Sequence, residues 1–480
     1  MAGYHTCMGL RHAIALVLIL ALPVRASELP DLGESARAAF SEAQEARLGR
    51  EIMRQIRSSR DFLDDAELTE YLNALGDRLV AVSPSPYRHF EFFVVRDPTI
   101  NAFALPGGYI GVHTGLISAA RNESELAAVL AHEIAHVTQN HIARMVDQQR
   151  SSGLMSLAAL AVAILAARSN SQVSQAAATL AGAMNVQQQL DFSREHEREA
   201  DRVGLQILAQ AGFAPAGMAS FFERLQAQGR LLDSQAPAYL RTHPLTFQRI
   251  ADIQNRVAEM PYRQHQDSLE FRLIRARVWA EEGEPGQAVQ RFETLAAAEP
   301  RDVAAWYGLA RAALRAGRRE RAQQAVARID ALDTATPLVE TLAMDVALAA
   351  NRPEQAIARG EQALARYSAH RPLAYTQAHA LLLAGQAERA LRLVDEQLLT
   401  WPEDAVLYTL KARAHGALGQ RLEAHLAQAE AHVRQGAVAA AIEQLQLAVA
   451  SGGRDFHRLS IAEARLRELR AQQQREAARR

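Results

Sequence analysis

The 480-residue chain holds one cysteine, Cys7, and one lysine, Lys411. Cys7 lies ahead of an N-terminal apolar run, so it is not placed as a lipoprotein cysteine. The rest of the chain has no disulfide framework and no thiol nucleophile, which suits an oxidising compartment without requiring one. The 53 basic residues are therefore nearly all arginine, and 54 acids interleave with them to a formal net charge of −1. No basic block or stacking-aromatic array accompanies them, so nucleic acid is not an expected partner. Apolar runs long enough to span a bilayer are also missing. Gly153 to Ala167 covers only about 22 Å as a helix, against a hydrocarbon core of about 30 Å.

Two shorter apolar segments remain. Arg11 and His12 precede the run Ala13 to Leu22, and Val24-Arg25-Ala26 follows as a small-residue cleavage site. This is the pattern of a secretory signal peptide cleaved near Ala26. The stretch from Gly153 to Ala167, followed by Ala176 to Val186, has two readings: a pair of buried helices, or a hydrophobic hairpin that plugs a cleft or touches a membrane surface or a partner.

What the chain does possess is His132-Glu133-Ile134-Ala135-His136 and, about sixty residues on, Glu197-Arg198-Glu199-Ala200-Asp201. On a helix, residues four apart share a face, so His132 and His136 can address one ion. Glu133 lies about 100° round the turn. It is off the metal and within reach of a water held there, as a general base must be. A zinc site needs a third protein ligand. Glu197 is the best placed, on a second helix expected over Phe192 to Gly212, with Asp201 one turn on to accept the free N–H of a ligand imidazole. The metzincin pattern fails, since Gln139 and Ile142 stand where it needs Gly and His. The thermolysin-like pattern fails too, because Ser151 to Met155 offers no acid. Asn122 and Glu125 resemble a capping box ahead of Leu126, Leu130, Ile134 and Val137 at helical spacing.

From about Asp267 a repeat emerges. Gly283, Gly317, Asn351, Gly385 and Gly419 are successive steps of 34 residues, with Ala288, Ala322, Ala356, Ala390 and Ala424 five positions later. That period, with a turn residue and then a small one, is the tetratricopeptide pattern of stacked antiparallel helix pairs, whose concave face binds protein segments. Gly436 and Ala441 keep the offset but arrive half a period late, which marks an irregular last unit or a cap. The repeats lie wholly downstream of the expected site, so the catalytic part is expected to fold without them. Short strands are expected over Phe90–Val95, Asn101–Leu105 and Tyr109–His113, with Pro106-Gly107-Gly108 as a turn. Pro244 holds His243 in an extended loop conformation. His113, His141 and His196 have weaker claims: His141, five residues past His136, is off the ligand face, and His196 points about 100° away from Glu197.

The HEIAH and EREAD segments, with Asn101 to Gly108 between strands, resemble the gluzincin metallopeptidases related to HtpX and the CAAX prenyl proteases, and most of all their periplasmic branch with a tetratricopeptide tail. The resemblance covers essentially the whole mature chain. It implies one Zn²⁺ per chain on His132, His136 and Glu197, Glu133 as catalytic base, and Asn101, Ala102, Phe103 and Ala104 as an edge strand that holds substrate rather than one that only braces the helix. It also favours a role for His243, either as a reversible fourth ligand or as an oxyanion donor. The expected fold is mainly α: a gluzincin-type helical domain with a small β-sheet, then an all-α solenoid. The expected divisions are signal peptide 1–26, metallopeptidase 27–262, repeats 267–470 and polar tail 471–480. The implied activity is a periplasmic zinc endopeptidase acting on stalled, unfolded or misassembled outer-membrane proteins, docked through its repeats on the barrel assembly machinery. The alternative is a chaperone or scaffold with a latent zinc site.

Overall fold

The structure, a computed structural model, describes residues 40–57, 59–85, 88–148, 194–231, 238–451 and 456–477. The expected signal peptide and the apolar stretch 153–186 lie outside these residues. Among the described residues no helix is long and apolar enough to cross a membrane.

The chain is mainly α-helical with one small mixed sheet. Helices Glu42–Arg57 and Ala66–Val80 precede β1 (Glu91–Val95), β2 (Ala102–Leu105) and β3 (Tyr109–His113). The strand order is β1-β3-β2, with β1 parallel and β2 antiparallel to β3. β2 is thus an edge strand, one residue shorter than expected because Asn101 stands just ahead of it. Gly107 and Gly108 make the turn at φ of 82° and 81°. A Cβ on Gly108 would sit 1.9 Å from the His89 carbonyl oxygen, so only glycine closes this turn.

Next comes the first ligand helix, Glu123–Thr138, in which every residue is buried. A helix covered on all sides belongs in the middle of a domain. It packs against Ala66–Val80, β2 and Ala216–Leu231, and most extensively against the second ligand helix, Arg194–Gln210. Asn122 caps its start by accepting from the Glu125 amide at 2.9 Å. The box is one residue out of register: the Glu125 carboxylate accepts from the Arg121 amide at 2.8 Å, not from Asn122 itself. The two ligand helices cross at Gly204, where a Cβ would lie 3.0 Å from the His132 amide nitrogen. That close approach brings Glu197 and Asp201 to the histidines.

From Leu269 to Ala477 the described helices form six antiparallel pairs. The 34-residue ladder marks the turn inside each of the first five. Gly283, Gly317, Asn351, Gly385 and Gly419 have φ of 61°, 70°, 59°, 73° and 74°, the left-handed conformation that ends a helix. Ala288, Ala322, Ala356 and Ala390 are buried between helices, whereas Ala424 is only half-buried. Gly436, at φ 75°, arrives half a period late because it joins two pairs rather than the helices of one. The last helix, Phe456–Ala477, runs through most of the expected polar tail 471–480.

The two parts share one interior. A single apolar cluster runs from Leu68 and Phe92 through Leu130 and Phe222 to Phe271, Tyr307 and Leu342. Arg277 of the first repeat helix pairs with Asp65 at 2.5 Å and Glu67 at 2.6 Å. Trp279 Nε1 donates to the Ser118 carbonyl at 3.1 Å. Further along, the solenoid curls back so that Arg371 pairs with Glu70 at 2.8 Å. The arc encloses a cleft of about 1090 Å³ lined by residues of both parts, among them Arg57, Asp64, Arg311 and Asp404.

Candidate metal centre

His132 and His136 present Nε2 to one point, 3.0 Å apart. Glu197 comes from the crossing helix, with Oε1 3.5 Å from His136 Nε2 and Oε2 3.6 Å from His132 Nε2. His243 closes the fourth side, its Nδ1 2.9 Å from Glu197 Oε1 and 3.4 Å from His132 Nε2. All four residues are buried, and one ligand atom from each falls within 4.8 Å of the others. Three imidazole nitrogens and a carboxylate oxygen are donors suited to zinc. Glu133 stands beside them, 3.6 Å from His243 Nε2, and neither of its buried oxygens makes a hydrogen bond. Converging buried acceptors of this kind call for a cation.

The surrounding charges hold this arrangement. Burial opposes charge on His132, but the carboxylates of Asp201 and Glu197 outweigh it and raise its pKa to about 9. Burial, and then the charge of His132, push His136 well below the ordinary histidine range. Burial would raise Glu197, yet His243, His132 and Arg249 hold it well below the usual carboxylate range. Glu133 is raised by burial, with His243 and His132 pulling the other way. The edge strand β2 packs against the helix that carries Glu133.

Outside the ligand set, Asp201 Oδ1 lies 3.1 Å from His132 Nδ1. Arg249 grips the same carboxylate with two bonds of 2.7 Å and reaches Glu197 Oε2 at 2.7 Å. Nothing in the sequence drew attention to Arg249. The only available signal was its place six residues after His243, in the first turn of helix Phe247–Glu259. At the strand β2, Asn101 is buried, and its carbonyl accepts from the His113 amide at 3.0 Å. Ala102 and Phe103 are also buried, while Ala104 is half-buried at the edge. Tyr239 bridges the two regions: its amide donates to the Ile100 carbonyl at 3.1 Å, and its ring stacks on His243 at 4.7 Å.

His141 stands outside the cluster of His132, His136, Glu197 and His243, yet its Nδ1 is 2.9 Å from His136 Nδ1, the nitrogen turned away from that cluster. Asn140, at φ 55°, breaks the helix just before it, so helical arithmetic does not reach His141. His196 stacks on it at 4.5 Å. His113 braces the loop ahead of β2 through Thr99 Oγ1 at 3.1 Å.

Residues 66–257 match the profile of peptidase family M48, and residues 280–343 a tetratricopeptide repeat profile. The Beta-barrel assembly-enhancing protease of Escherichia coli (strain K12) is 35% identical over 455 residues, 94% of this chain and 93% of that protein. The chain belongs to peptidase family M48. The Mitochondrial metalloendopeptidase OMA1 of Schizosaccharomyces pombe shares 36% identity over 192 residues, 40% of this chain and 53% of that protein. Membership in M48, together with the His/His/Glu/His cluster, makes the chain a zinc metallopeptidase. Its identity over 94% of the chain and its repeats make it a close relative of the barrel assembly-enhancing group.

Proposed function

We propose that this M48 peptidase is a periplasmic endopeptidase that clears or helps assemble stalled outer-membrane proteins, with one zinc on His132, His136 and Glu197. The observation that carries this reading is the convergence of those ligand atoms and His243 within 4.8 Å, with Glu133 alongside. The client class and the compartment are supported by the printed name of the relative that covers 94% of the chain.

Bound zinc would polarise the scissile carbonyl and acidify a water. Glu133 would take a proton from the attacking water as its oxygen bonds to the scissile carbonyl carbon, and would pass that proton to the amine as the C–N bond breaks. Burial raises its pKa towards the range a general base needs. The client strand pairs with β2 across Asn101 to Ala104, by main-chain hydrogen bonds that accept many sequences. Asp201 and Arg249 keep His132 oriented. His243 either caps the fourth position in a resting state or donates to the oxyanion. Residues 27–262 form the catalytic part and 267–470 the client-docking arc, which engages the barrel assembly machinery. The apolar stretch 153–186 joins helix His141–Gln148 to Arg194, three residues before Glu197. That place in the chain, between two helices that carry residues of the site, supports contact with a membrane surface or a partner.

A Glu133→Gln variant, compared with wild type in cleavage and in client rescue, tests the proposal. Zinc retention with loss of cleavage is the expected result, and Glu197→Ala should lose the metal. The second reading, a chaperone with a latent site, draws on His243 filling the fourth side. Full client rescue by Glu133→Gln would favour it.

A further inference from the structure

Both histidines of the HEIAH helix have an outer nitrogen that must be accounted for. For His132 the partner is Asp201, an arrangement expected from its spacing. For His136 the structure offers another imidazole. His136 Nδ1 meets His141 Nδ1 at 2.9 Å, His141 Nε2 meets Glu199 Oε2 at 3.2 Å, and Arg144 Nη1 holds that same oxygen at 2.7 Å. Both histidines are fully buried.

The contacts have a direction. A carboxylate gripped by arginine is an acceptor, so Nε2 of His141 carries the proton and Nδ1 keeps its lone pair. That lone pair can only accept from His136 Nδ1–H. His136 is then left with a lone pair on Nε2, the atom that faces His132 Nε2 at 3.0 Å. The opposite tautomer of His141 would set a bare Nε2 lone pair against the Glu199 carboxylate, acceptor against acceptor. The backbone is shaped for the contact as well. On an unbroken helix a residue five places on would lie about 140° round and about 7.5 Å along the axis. Asn140, at φ 55°, folds the chain back instead, a conformation asparagine tolerates better than most residues.

We infer that His141 is a positioning residue for zinc: with Glu199 and Arg144 it fixes the tautomer and ring orientation of His136, as Asp201 with Arg249 does for His132. This rests on the ligand assignment proposed above.

The test is zinc affinity of the full chain, measured by chelator competition, alongside the melting temperature of each zinc-stripped variant. His141→Gln keeps an acceptor oxygen towards His136 and a donor N–H towards Glu199, so its affinity should stay within about threefold of wild type. His141→Phe keeps the ring volume and the stack on His196 but has no nitrogen. It should weaken zinc by about 10- to 100-fold, the scale of lost outer-shell partners. A packing role predicts the reverse order, with Phe retained and Gln weakened, and that order overturns the inference. Glu199→Ala, at a half-buried position, serves should the Phe variant fail to fold. It should weaken zinc several-fold, and wild-type affinity overturns the inference. If His136→Ala also bound zinc as tightly as wild type, the ligand assignment itself would fail, independently of His141.

Discussion

Glu123, the first residue of the HEIAH helix, accepts a 2.7 Å hydrogen bond from the hydroxyl of Ser268, the cap of the first repeat helix. The Ser268 amide adds a second bond at 3.1 Å and His265 a third at 3.0 Å. Tyr71 donates a fourth at 3.0 Å. One buried carboxylate thus ties the start of the zinc helix to the start of the solenoid. Ser268→Ala removes the cap and a bond to a charge together, and should cost about 2–3 kcal/mol in chemical denaturation. A Glu123→Gln, Ser268→Ala double-mutant cycle should show strong coupling, whereas additive losses would break the link.

The shared interior bears on truncation. The position of the site in the chain suggested that residues before about 267 would fold alone. Phe271, Ile274 and Val278 are buried in the same cluster as Leu130 and Phe222, and Trp279 reaches Ser118. Cutting the chain ahead of Leu269 exposes that core. The fragment should lose its cooperative thermal transition and bind a hydrophobic dye. A sharp transition within a few degrees of the full chain would show that the two parts fold independently.

His243 has two roles open to it, and they differ in sign. As a cap on the fourth position it restrains the enzyme, so His243→Ala should raise basal cleavage, self-cleavage included, at equal zinc loading. As an oxyanion donor it contributes to rate, and the same variant should lose about 10²–10³ in turnover. Its 2.9 Å contact with Glu197 favours the cap. An unchanged rate removes it from both roles.

Glu67 makes the joint sensitive to pH. Burial pushes its pKa up to about 6, although Arg277 lies beside it. The folded value is above the ordinary one of about 4.3, so the fold prefers the protonated form. That preference stabilises fully below the ordinary value and is lost as pH rises through about 6. Between about pH 5 and about pH 7 the wild type should therefore lose stability relative to Glu67→Gln, which cannot titrate. Equal slopes in urea denaturation would remove Glu67 as the cause.

Much of this was legible before any coordinates, for a physical reason: helix geometry is local. Spacing of four put His132 and His136 on one face, and the same rule paired Glu197 with Asp201. The 34-residue ladder named five turns, and all five have left-handed backbone, Asn351 among them. The short strands, the glycine turn and the repeat domain followed from equally short-range patterns. Contacts set by the path of the chain were not legible. Arg249 reaches Asp201 from 48 residues away, and Gly204 sets how closely the helices cross. The break at Asn140 set His141 against the outer nitrogen of His136, a contact that helical arithmetic does not reach. The solenoid became part of the catalytic core because one apolar cluster spans both. Local periodicity says which way a side chain faces on its own element, while only the packing of elements decides what stands opposite it.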